Sequence, residues 1–345
     1  MLGLTAFTTL LVWMRLLATV VVEETNYYLR QLTRVDVSYT QPPSTNDTSR
    51  WFWIGLVRDA RQVSNSTWNA LAQAACQYHM AIHVTVALHA DLARTMFRQR
   101  TINTDYYDYC APVYYFETEA DLGLGRSPPS SNRVTRIAAI RDAQRQRIRQ
   151  LSHNMDVVIV ADLDLRRLPP VSQVVQQGPH LLNVDAVCAA GITLASRDEL
   201  WYYDTFATVL LPDTFVHPLS RRLVPRHYPG ENTSLVRSNY QHGSFTQGDL
   251  MRYLQQQQQQ HDGSVVPVRS CFGGLAVYRA AVWLEPACQY TLPPNHALLL
   301  QRYASHIDGV PCEHVAFHAC LQDTPGLRPA RIAINPSMLT LWRKD

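Results

Sequence analysis

A short apolar run that leads directly into two aspartates constrains this chain more than any other feature. Residues 157–160 read Val-Val-Ile-Val, which predicts a buried strand, and Asp162 and Asp164 follow at once. Ligands of open α/β sheets bind outside the carboxyl ends of the strands, and paired carboxylates there suit hard cations such as Mg²⁺ or Mn²⁺. The pattern predicts a cation site; the alternative is an ordinary solvated turn.

Length and composition limit the class of protein. With 345 residues, the chain is long enough for one large α/β domain or two small ones, and 46% hydrophobic residues indicate a globular protein with a sizeable core. A net charge of +3 is too small to indicate a nucleic-acid partner. Neither GxGxxG nor a Walker lysine motif occurs, which argues against a Rossmann-type dinucleotide site or a P-loop.

The amino-terminal segment, residues 1–22, is almost wholly apolar and matches the roughly 20 residues that cross a bilayer. We interpret it as a signal anchor, although Arg15 interrupts it; a cleaved signal peptide and a soluble helix are the alternatives. Residues 23–50 are predicted to be a stem, because their second half is rich in Ser, Thr, Pro, Asn and Asp. The folded domain is predicted to span 51–345.

Two further features suit a luminal domain. Acceptor triplets for N-glycosylation begin at Asn46, Asn65 and Asn232. The seven cysteines suit an oxidising compartment, and their odd number leaves at least one outside an intramolecular disulfide. We therefore expect a single-pass type II protein of the Golgi or endoplasmic reticulum membrane, with its folded domain in the lumen.

The first part of the folded domain has the pattern of a βαβ unit, which predicts a parallel sheet. A strand, a helix and two further strands are predicted at 51–57, 67–78, 82–88 and 112–116. The first strand ends at Arg58 and Asp59, on the ligand side of such a sheet. A basic helix is predicted at 133–150; it is either a solvated amphipathic helix, or one of its arginines Arg133, Arg136 and Arg141 contacts a diphosphate.

The second half of the chain contains five informative segments. Residues 186–191 predict a strand, and an aromatic run at 201–207 surrounds Asp204, a composition found both in sugar-binding surfaces and in cores. Residues 211–260 are polar, and their final glutamines predict a solvated loop insertion. Two extended runs flank Gly273 and Gly274, which permit close approach of a ligand to the backbone.

The last informative segment carries an acid and two histidines. His314 and His318 are four residues apart and share a face if the segment is helical, and Glu313 lies beside that face. The segment lacks the glutamate of the zinc-protease motif, so it does not predict that chemistry. It predicts either a functional cluster or structural histidines.

The ordered set of these segments resembles the GT-A-fold glycosyltransferases that use nucleotide sugars. The pattern is most similar to the fungal capsular α-1,3-mannosyltransferase-like family. The blocks that carry this resemblance are the Asp-x-Asp pair at 162–164, and 203–207, 266–275, 312–314 and 334–336. The chain departs from the family in its glutamine insertion, and its second strand lacks the acid often placed after it for the nucleotide.

The resemblance implies a fold, a donor and roles for particular residues. The fold would be a GT-A-like, Rossmann-related, mixed and mainly parallel sheet flanked by helices. The activity would be transfer of a hexose, mannose included, from GDP-mannose or a UDP-sugar to a glycan or glycoprotein. Mn²⁺ or Mg²⁺ would be held by Asp162, Asp164 and His318, and Glu313 or Asp204 would be the base of an inverting enzyme. Donor contacts would come from Arg58, Asp59, Arg141, Asp162, Gly273 and Gly274.

Two other classes of function fit parts of the pattern. A metal-dependent phosphoesterase or nucleotide-sugar hydrolase could use the same aspartates and would need no acceptor. A non-catalytic luminal carbohydrate-binding protein could use the aromatic run alone and would tolerate loss of both aspartates. Glycosyl transfer accounts for the largest number of the observed segments.

Overall fold

A computed structural model of the chain describes residues 50–102, 110, 112–125, 133–151, 155–196, 199–202, 207–210, 247–260, 265–291 and 312–342. The predicted anchor, nearly all of the stem, Asp204 and the triplets at Asn46 and Asn232 lie outside these described residues. Among the helices that are described, none is both long enough and apolar enough to cross a membrane.

The described part of the chain forms strands and helices that alternate in its first half. The strands are β1 (Trp51–Asp59), β2 (Ala81–Leu88), β3 (Tyr114–Glu117), β4 (Val157–Asp162), β5 (Ala186–Ser196), β6 (Glu199–Tyr202), β7 (Val209–Leu210), β8 (Val266–Ser270), β9 (Leu275–Arg279) and β10 (Ile332–Leu341). The α-helices are α1 (Asn65–Gln77), α2 (Ala90–Ile102), α3 (Arg133–Leu151), α4 (Val171–Val175), α5 (Gln247–Gln260), α6 (Ala280–Trp283) and α7 (Glu313–Asp323). Short 3-10 turns lie at Ala60–Gln62 and Pro179–Leu182.

All these strands join one mixed sheet in the order β3-β2-β1-β4-β9-β5-β10-β8-β7, with β6 paired to β5. Strands β3, β2, β1 and β4 are mutually parallel, as the predicted βαβ unit requires. Strand β9 is antiparallel to both β4 and β5, and the pairs that involve β6, β7 and β8 are antiparallel as well. The mixed sheet is confirmed, but parallel pairing dominates only its first half, because β9 follows β8 through a tight turn and inserts between β4 and β5.

Strand β4 is buried on both faces of the sheet, as its unbroken apolar run predicts. Val158 and Val160 pack into a cluster with residues of α3 and α7, whereas Val157 and Ile159 pack into a second cluster with residues of α1, α2 and α4. The sheet is therefore a central layer between two layers of helices, and Asp162 at the carboxyl end of β4 is partly exposed.

The glutamine-rich segment is a helix, not the predicted solvated loop. Leu250, Met251 and Leu254 of α5 are buried in the cluster that includes α3 and α7. The Nε2 of Gln258 donates a hydrogen bond to Asn335 Oδ1 at 3.1 Å. The polar composition of this run concealed the apolar residues that hold one face of the helix against the sheet.

Three disulfides join Cys76 to Cys110, Cys188 to Cys271 and Cys288 to Cys320. The seventh cysteine, Cys312, is buried and keeps its thiol, so the expectation from the odd number is confirmed. The second disulfide ties β5 to the turn after β8, next to the end of β4.

Candidate functional site

The two aspartates lie at the carboxyl edge of the sheet because the residues between them anchor the loop. Leu163 and Leu165 are fully buried in the cluster with α1, α2 and α4, whereas Asp162 and Asp164 are partly exposed. A Cβ atom on Gly55 would lie 2.5 Å from Leu163 Cδ1, so glycine at that position makes room for the leucine. The alternation of buried leucines and partly exposed aspartates turns both carboxylates away from this core.

Main-chain hydrogen bonds hold the aspartate loop from several directions. The Asp162 amide donates to the Gly274 carbonyl at 2.9 Å, and the Leu163 amide donates to the Leu56 carbonyl at 2.9 Å. Further along, Arg167 and Leu341 exchange amide-to-carbonyl bonds of 3.2 and 2.9 Å. Strand β1, the turn before β9 and the end of β10 thus fix the loop, so its carboxylates are positioned before any ligand binds.

A buried arginine links the aspartate pair to the late acidic residue. Nη2 of Arg141, from α3, donates to Asp162 Oδ1 at 2.7 Å, and its Nε lies 3.5 Å from Glu313 Oε1. Burial acts to lower the pKa of Arg141, but the charges of Asp162 and Glu313 outweigh it, so the net shift of the pKa is upward. The guanidinium therefore stays charged and holds together two carboxylates that would otherwise repel each other.

The same arginine does not face solvent. Its side chain is 1% exposed, and among the described residues no hydrogen-bond partner of its Nη1 is found. A donor that enters from solvent would meet Asp162 before this guanidinium. The predicted direct contact of Arg141 with a diphosphate does not match this position, and Arg141 is better explained as the group that positions the two carboxylates.

Three polar residues of the basic helix, Arg141, Gln144 and Arg145, are buried, so the helix is solvated only in part. Gln144 Nε2 donates to the Gly55 carbonyl and to Thr85 Oγ1, both at 2.9 Å. Arg145 donates to three carbonyls in and after α6, those of Trp283, Glu285 and Cys288. Of the other arginines predicted to contact a diphosphate, Arg136 is paired with Glu119 at 2.6 Å and Arg133 is exposed.

Glu313 occupies the first turn of α7, where the positive end of the helix dipole favours a carboxylate. Its Oε2 accepts from the Cys312 thiol at 3.4 Å, and its Oε1 lies 3.7 Å from His314 Nε2. The Phe272 ring stacks on His314, with ring centroids 3.7 Å apart, and lies 4.8 Å from the Arg141 guanidinium carbon. Apolar and basic side chains therefore lie around Glu313, at the same edge of the sheet as Asp162.

His318 lies beneath this arrangement with both ring nitrogens engaged. Nδ1 is 3.0 Å from Ser270 Oγ and accepts from the Cys271 amide at 3.4 Å, while Nε2 is 2.8 Å from the Tyr278 hydroxyl. Burial lowers its pKa to about 3. The prediction that His318 is a third metal ligand does not match this geometry, and no cluster of three His, Cys, Asp or Glu side chains arranged to hold a metal occurs among the described residues.

The predicted donor contacts at the end of β1 separate into two kinds. Asp59 caps the following 3-10 turn and accepts from the Arg61 side chain and amide, which lowers its pKa to about 2. The hydrogen bonds of the Asp59 carboxylate therefore stabilise this turn. Arg58 is exposed, and because Leu56 pairs with Asp162 across the strands, Arg58 faces the same side of the sheet as Asp162.

Gly273 and Gly274 serve the protein's own packing. A Cβ on Gly273 would lie 2.0 Å from the Ala189 carbonyl oxygen, and the two residues have φ of +61° and +86°. Only glycine meets both conditions without strain. The close approach predicted here is therefore to β5, and the turn contributes to the site by placing Phe272 beside His314. Asp204, the other predicted base, lies outside the described residues.

Two residues to which the sequence analysis gave no role complete the cluster, namely Phe272 and Tyr278. Both are buried. The extended run after Gly274 identified Tyr278 only as a strand residue, and no local signal in the sequence identifies its hydroxyl as a partner of two histidines on α7.

Comparisons with known proteins give no family assignment. No protein-family model matches the chain, and no curated protein matches it significantly. Among solved structures, TarS of S. aureus aligns with a TM-score of 0.39 and 8% identity, over 84% of this chain and 59% of that one. The mannosyltransferase PcManGT from Pyrobaculum calidifontis, in complex with GDP-Man and Mn²⁺, aligns with a TM-score of 0.42 and 11% identity, over 94% of this chain and 66% of that one.

A third similar structure is mouse xyloside xylosyltransferase 1, with a TM-score of 0.35 and 9% identity over 80% of this chain and 83% of that one. The structurally similar proteins thus include glycosyltransferases, and this chain spans less than two thirds of the length of TarS and of PcManGT. Likenesses at this level carry no argument about function, which has to come from the residues at the edge of the sheet.

Proposed function

We propose that this chain is a glycosyltransferase that moves a hexose from a nucleotide-diphosphate sugar, such as GDP-mannose or a UDP-sugar, to a hydroxyl of a glycan or glycoprotein. The observation that carries the proposal is the linkage of Asp162 to Glu313 through Arg141 at the carboxyl edge of the sheet. The Asp162 carboxylate, together with that of Asp164, suits a cation and its diphosphate. The Glu313 carboxylate suits removal of a proton from the acceptor hydroxyl. Mannose as the donor sugar rests on the motif resemblance alone.

The donor set fits a hard divalent cation. Asp162 and Asp164 present carboxylates from a loop fixed by main-chain hydrogen bonds, and Mg²⁺ or Mn²⁺ bound through one or two carboxylates takes its remaining ligands from phosphate and water. When bound, such an ion supplies positive charge to the leaving nucleoside diphosphate. Arg58, which is exposed on the same side of the sheet, would add a second positive charge near the phosphates.

The transfer step assigns a role to Glu313. The acceptor oxygen forms a bond to the anomeric carbon, and the bond from that carbon to the diphosphate oxygen breaks, with its electron pair leaving on the diphosphate. The proton of the acceptor hydroxyl passes to the Glu313 carboxylate, as in an inverting reaction. Arg141 orients this carboxylate, because its guanidinium Nε lies 3.5 Å from Oε1.

The direct test is to incubate the purified full-length chain with a panel of nucleotide sugars and glycan acceptors, with and without Mn²⁺. We expect one donor class to yield a glycosylated acceptor, with turnover at least tenfold lower after chelation, because the diphosphate loses its counter-charge. Release of nucleoside diphosphate at the same rate without acceptor would favour the hydrolase alternative. Glycan binding without turnover of any donor would favour the carbohydrate-binding alternative.

We also propose that residues 1–22 anchor the protein, so that the folded domain lies in the lumen of the Golgi or endoplasmic reticulum. Asn65 is exposed at the first residue of α1, where a glycan can be accommodated. Endoglycosidase treatment of the cell-expressed chain is expected to increase its gel mobility. Asn65→Gln is the matched control and should remove one increment of that shift. Recovery of an unglycosylated chain in the cytosolic fraction would contradict the luminal assignment.

A further inference from the structure

The amino edge of the sheet, opposite the candidate site, carries an excess of positive charge. Asp185, directly before β5, is fully buried, and its carboxylate contacts three guanidiniums. Arg328 Nη2 donates to Oδ1, Arg279 Nη1 lies 3.4 Å from the same oxygen, and Arg331 Nε lies 3.7 Å from Oδ2. The three arginine side chains remain 60%, 44% and 51% exposed, in the same order. We call Arg279, Arg328 and Arg331 the arginine cluster.

Neutralisation of Asp185 does not explain the arginine cluster, because one cation is enough to pair a buried carboxylate. Three arginines and one aspartate leave a net charge of +2. Two further arginines at this edge are each paired with a single carboxylate, Arg50 with Asp156 and Arg269 with Asp323. The extra charge of the cluster is exposed, so its N–H groups can reach an anion outside the domain.

Two large apolar side chains are exposed at the same edge. Leu182, three residues before Asp185, is 76% exposed, and Val113, directly before β3, is 55% exposed. The Val113 carbonyl accepts from the Ile82 amide at 2.9 Å, which places this residue at the start of β2. Basic and apolar side chains exposed on one surface are the combination that binds the interface of an anionic membrane.

The chain also enters the folded domain at this edge. Arg50 precedes the first residue of β1, and its carbonyl accepts from the Asp156 amide in front of β4 at 3.0 Å. The predicted anchor, residues 1–22, and the predicted stem, residues 23–50, therefore join the domain from the side that carries the arginine cluster. The carboxyl edge, with the aspartate pair, lies on the opposite side of the sheet.

We propose that the arginine cluster, with Leu182 beside it, docks the folded domain on anionic phospholipid headgroups of the membrane in which the chain is anchored. The inference rests on the proposed anchor and not on glycosyl transfer. The guanidiniums bind phosphate oxygens through paired N–H groups, and Leu182 enters the headgroup region. Docking at the amino edge turns the aspartate pair away from the membrane, toward acceptors in the lumen.

The test places a polarity-sensitive fluorophore at either edge of the full-length chain in nanodiscs. Leu182→Cys carries the fluorophore at the amino edge, and Leu88→Cys, at the carboxyl end of β2 and 48% exposed, is the matched control. The native Cys312 thiol is buried and should not react. In phosphatidylcholine with about 30% phosphatidylserine we expect a blue shift from position 182 only, and its loss in phosphatidylcholine alone or in about 0.5 M NaCl.

A charge variant tests the arginine cluster itself. Arg279→Gln leaves the other two arginines bound to Asp185, so the fold should survive, and the ratio of docked to free domain should fall about fivefold. Arg136→Gln is the matched control, since Arg136 is also 44% exposed and pairs with Glu119 beyond the carboxyl end of β3. A blue shift at position 88 equal to that at 182, or equal ratios for the two charge variants, would overturn the proposal.

Failure of the proposed anchor would look different, because the labelled chain would separate from the nanodiscs during gel filtration. Flotation of that chain with liposomes of the same anionic lipid mixture would then decide the docking. Binding that falls about fivefold in Arg279→Gln would support it, and absence of binding would overturn it. None of these readouts involves sugar transfer, so a chain without the proposed enzymatic activity would give the same result for the arginine cluster.

Discussion

Asp164→Asn should lower the transfer rate about a thousandfold while the melting temperature stays close to that of wild type. The substitution keeps the shape of the side chain but removes a negative charge from the predicted cation site, so the leaving diphosphate loses several kcal/mol of stabilisation. Folding should survive, because the adjacent Leu163 and Leu165 and the main-chain hydrogen bonds hold the loop. Initial rates at saturating donor and Mn²⁺, together with thermal melts, measure both quantities.

Asp162→Asn should differ from Asp164→Asn in one respect. It should lose a comparable amount of activity and also about 1–3 kcal/mol of stability, because Arg141 loses its closest charged acceptor inside the protein. Asp156→Asn is the control, since Asp156 precedes the same strand and forms an exposed ion pair with Arg50 at the opposite edge. A double variant, Asp162→Asn with Asp164→Asn, that transferred sugar at the wild-type rate in Mn²⁺ would show that the pair is an ordinary turn.

The features that could be predicted from sequence are those encoded locally. The apolar run of β4 predicted a strand buried on both sides and therefore placed Asp162 and Asp164 at the sheet edge. The spacing of His314 and His318 predicted that they share a helix face, and their ring centroids are 6.0 Å apart on α7. In each case the sequence pattern and the element that it predicts span about ten residues, so local periodicity was sufficient to predict the element.

The features that could not be predicted depend on partners far away in the chain. Arg141 and Glu313 are separated by 172 positions, and nothing near either residue indicates the other. A basic helix with few apolar residues has the composition of a solvated helix, yet Gln144 and Arg145 are buried because carbonyls of β1 and of the segment after α6 accept their hydrogen bonds. Burial of polar groups with satisfied hydrogen bonds is a tertiary property, which periodicity does not report.

His318 shows how the same limit affects a site assignment. The resemblance to GT-A glycosyltransferases implied that His318 is a metal ligand, and imidazole is a common ligand. The structure places Ser270 and Tyr278 at its two nitrogens instead. The two partners lie on β8 and β9, which are separated in the sheet by β10 and β5, so their positions around His318 follow only from the full sheet order. The sequence left a functional and a structural role open for this residue and could not assign which groups it contacts.

Glu313→Gln should lower kcat for transfer by roughly a hundredfold or more, the range expected for loss of a general base, with little change in the KM for the donor. The amide cannot accept the acceptor proton, but its oxygen can still receive the Arg141 N–H, and its size is unchanged. The fold should therefore tolerate it. Steady-state kinetics with donor and acceptor varied separately distinguish this result from a loss of donor binding.

Glu117→Gln is the matched control for Glu313→Gln. Glu117 is buried to a similar degree, with 12% of its side chain exposed against 10% for Glu313. It also accepts from an arginine of α3, Arg147, and lies 2.8 Å from the ring of His83. Loss of a buried carboxylate paired with α3 is common to both variants, so any stability effect should be similar, whereas only Glu313→Gln removes the proposed base. If both variants transferred sugar at the normal rate, Glu313 would not be the base, and a retaining mechanism or Asp204 would be preferred.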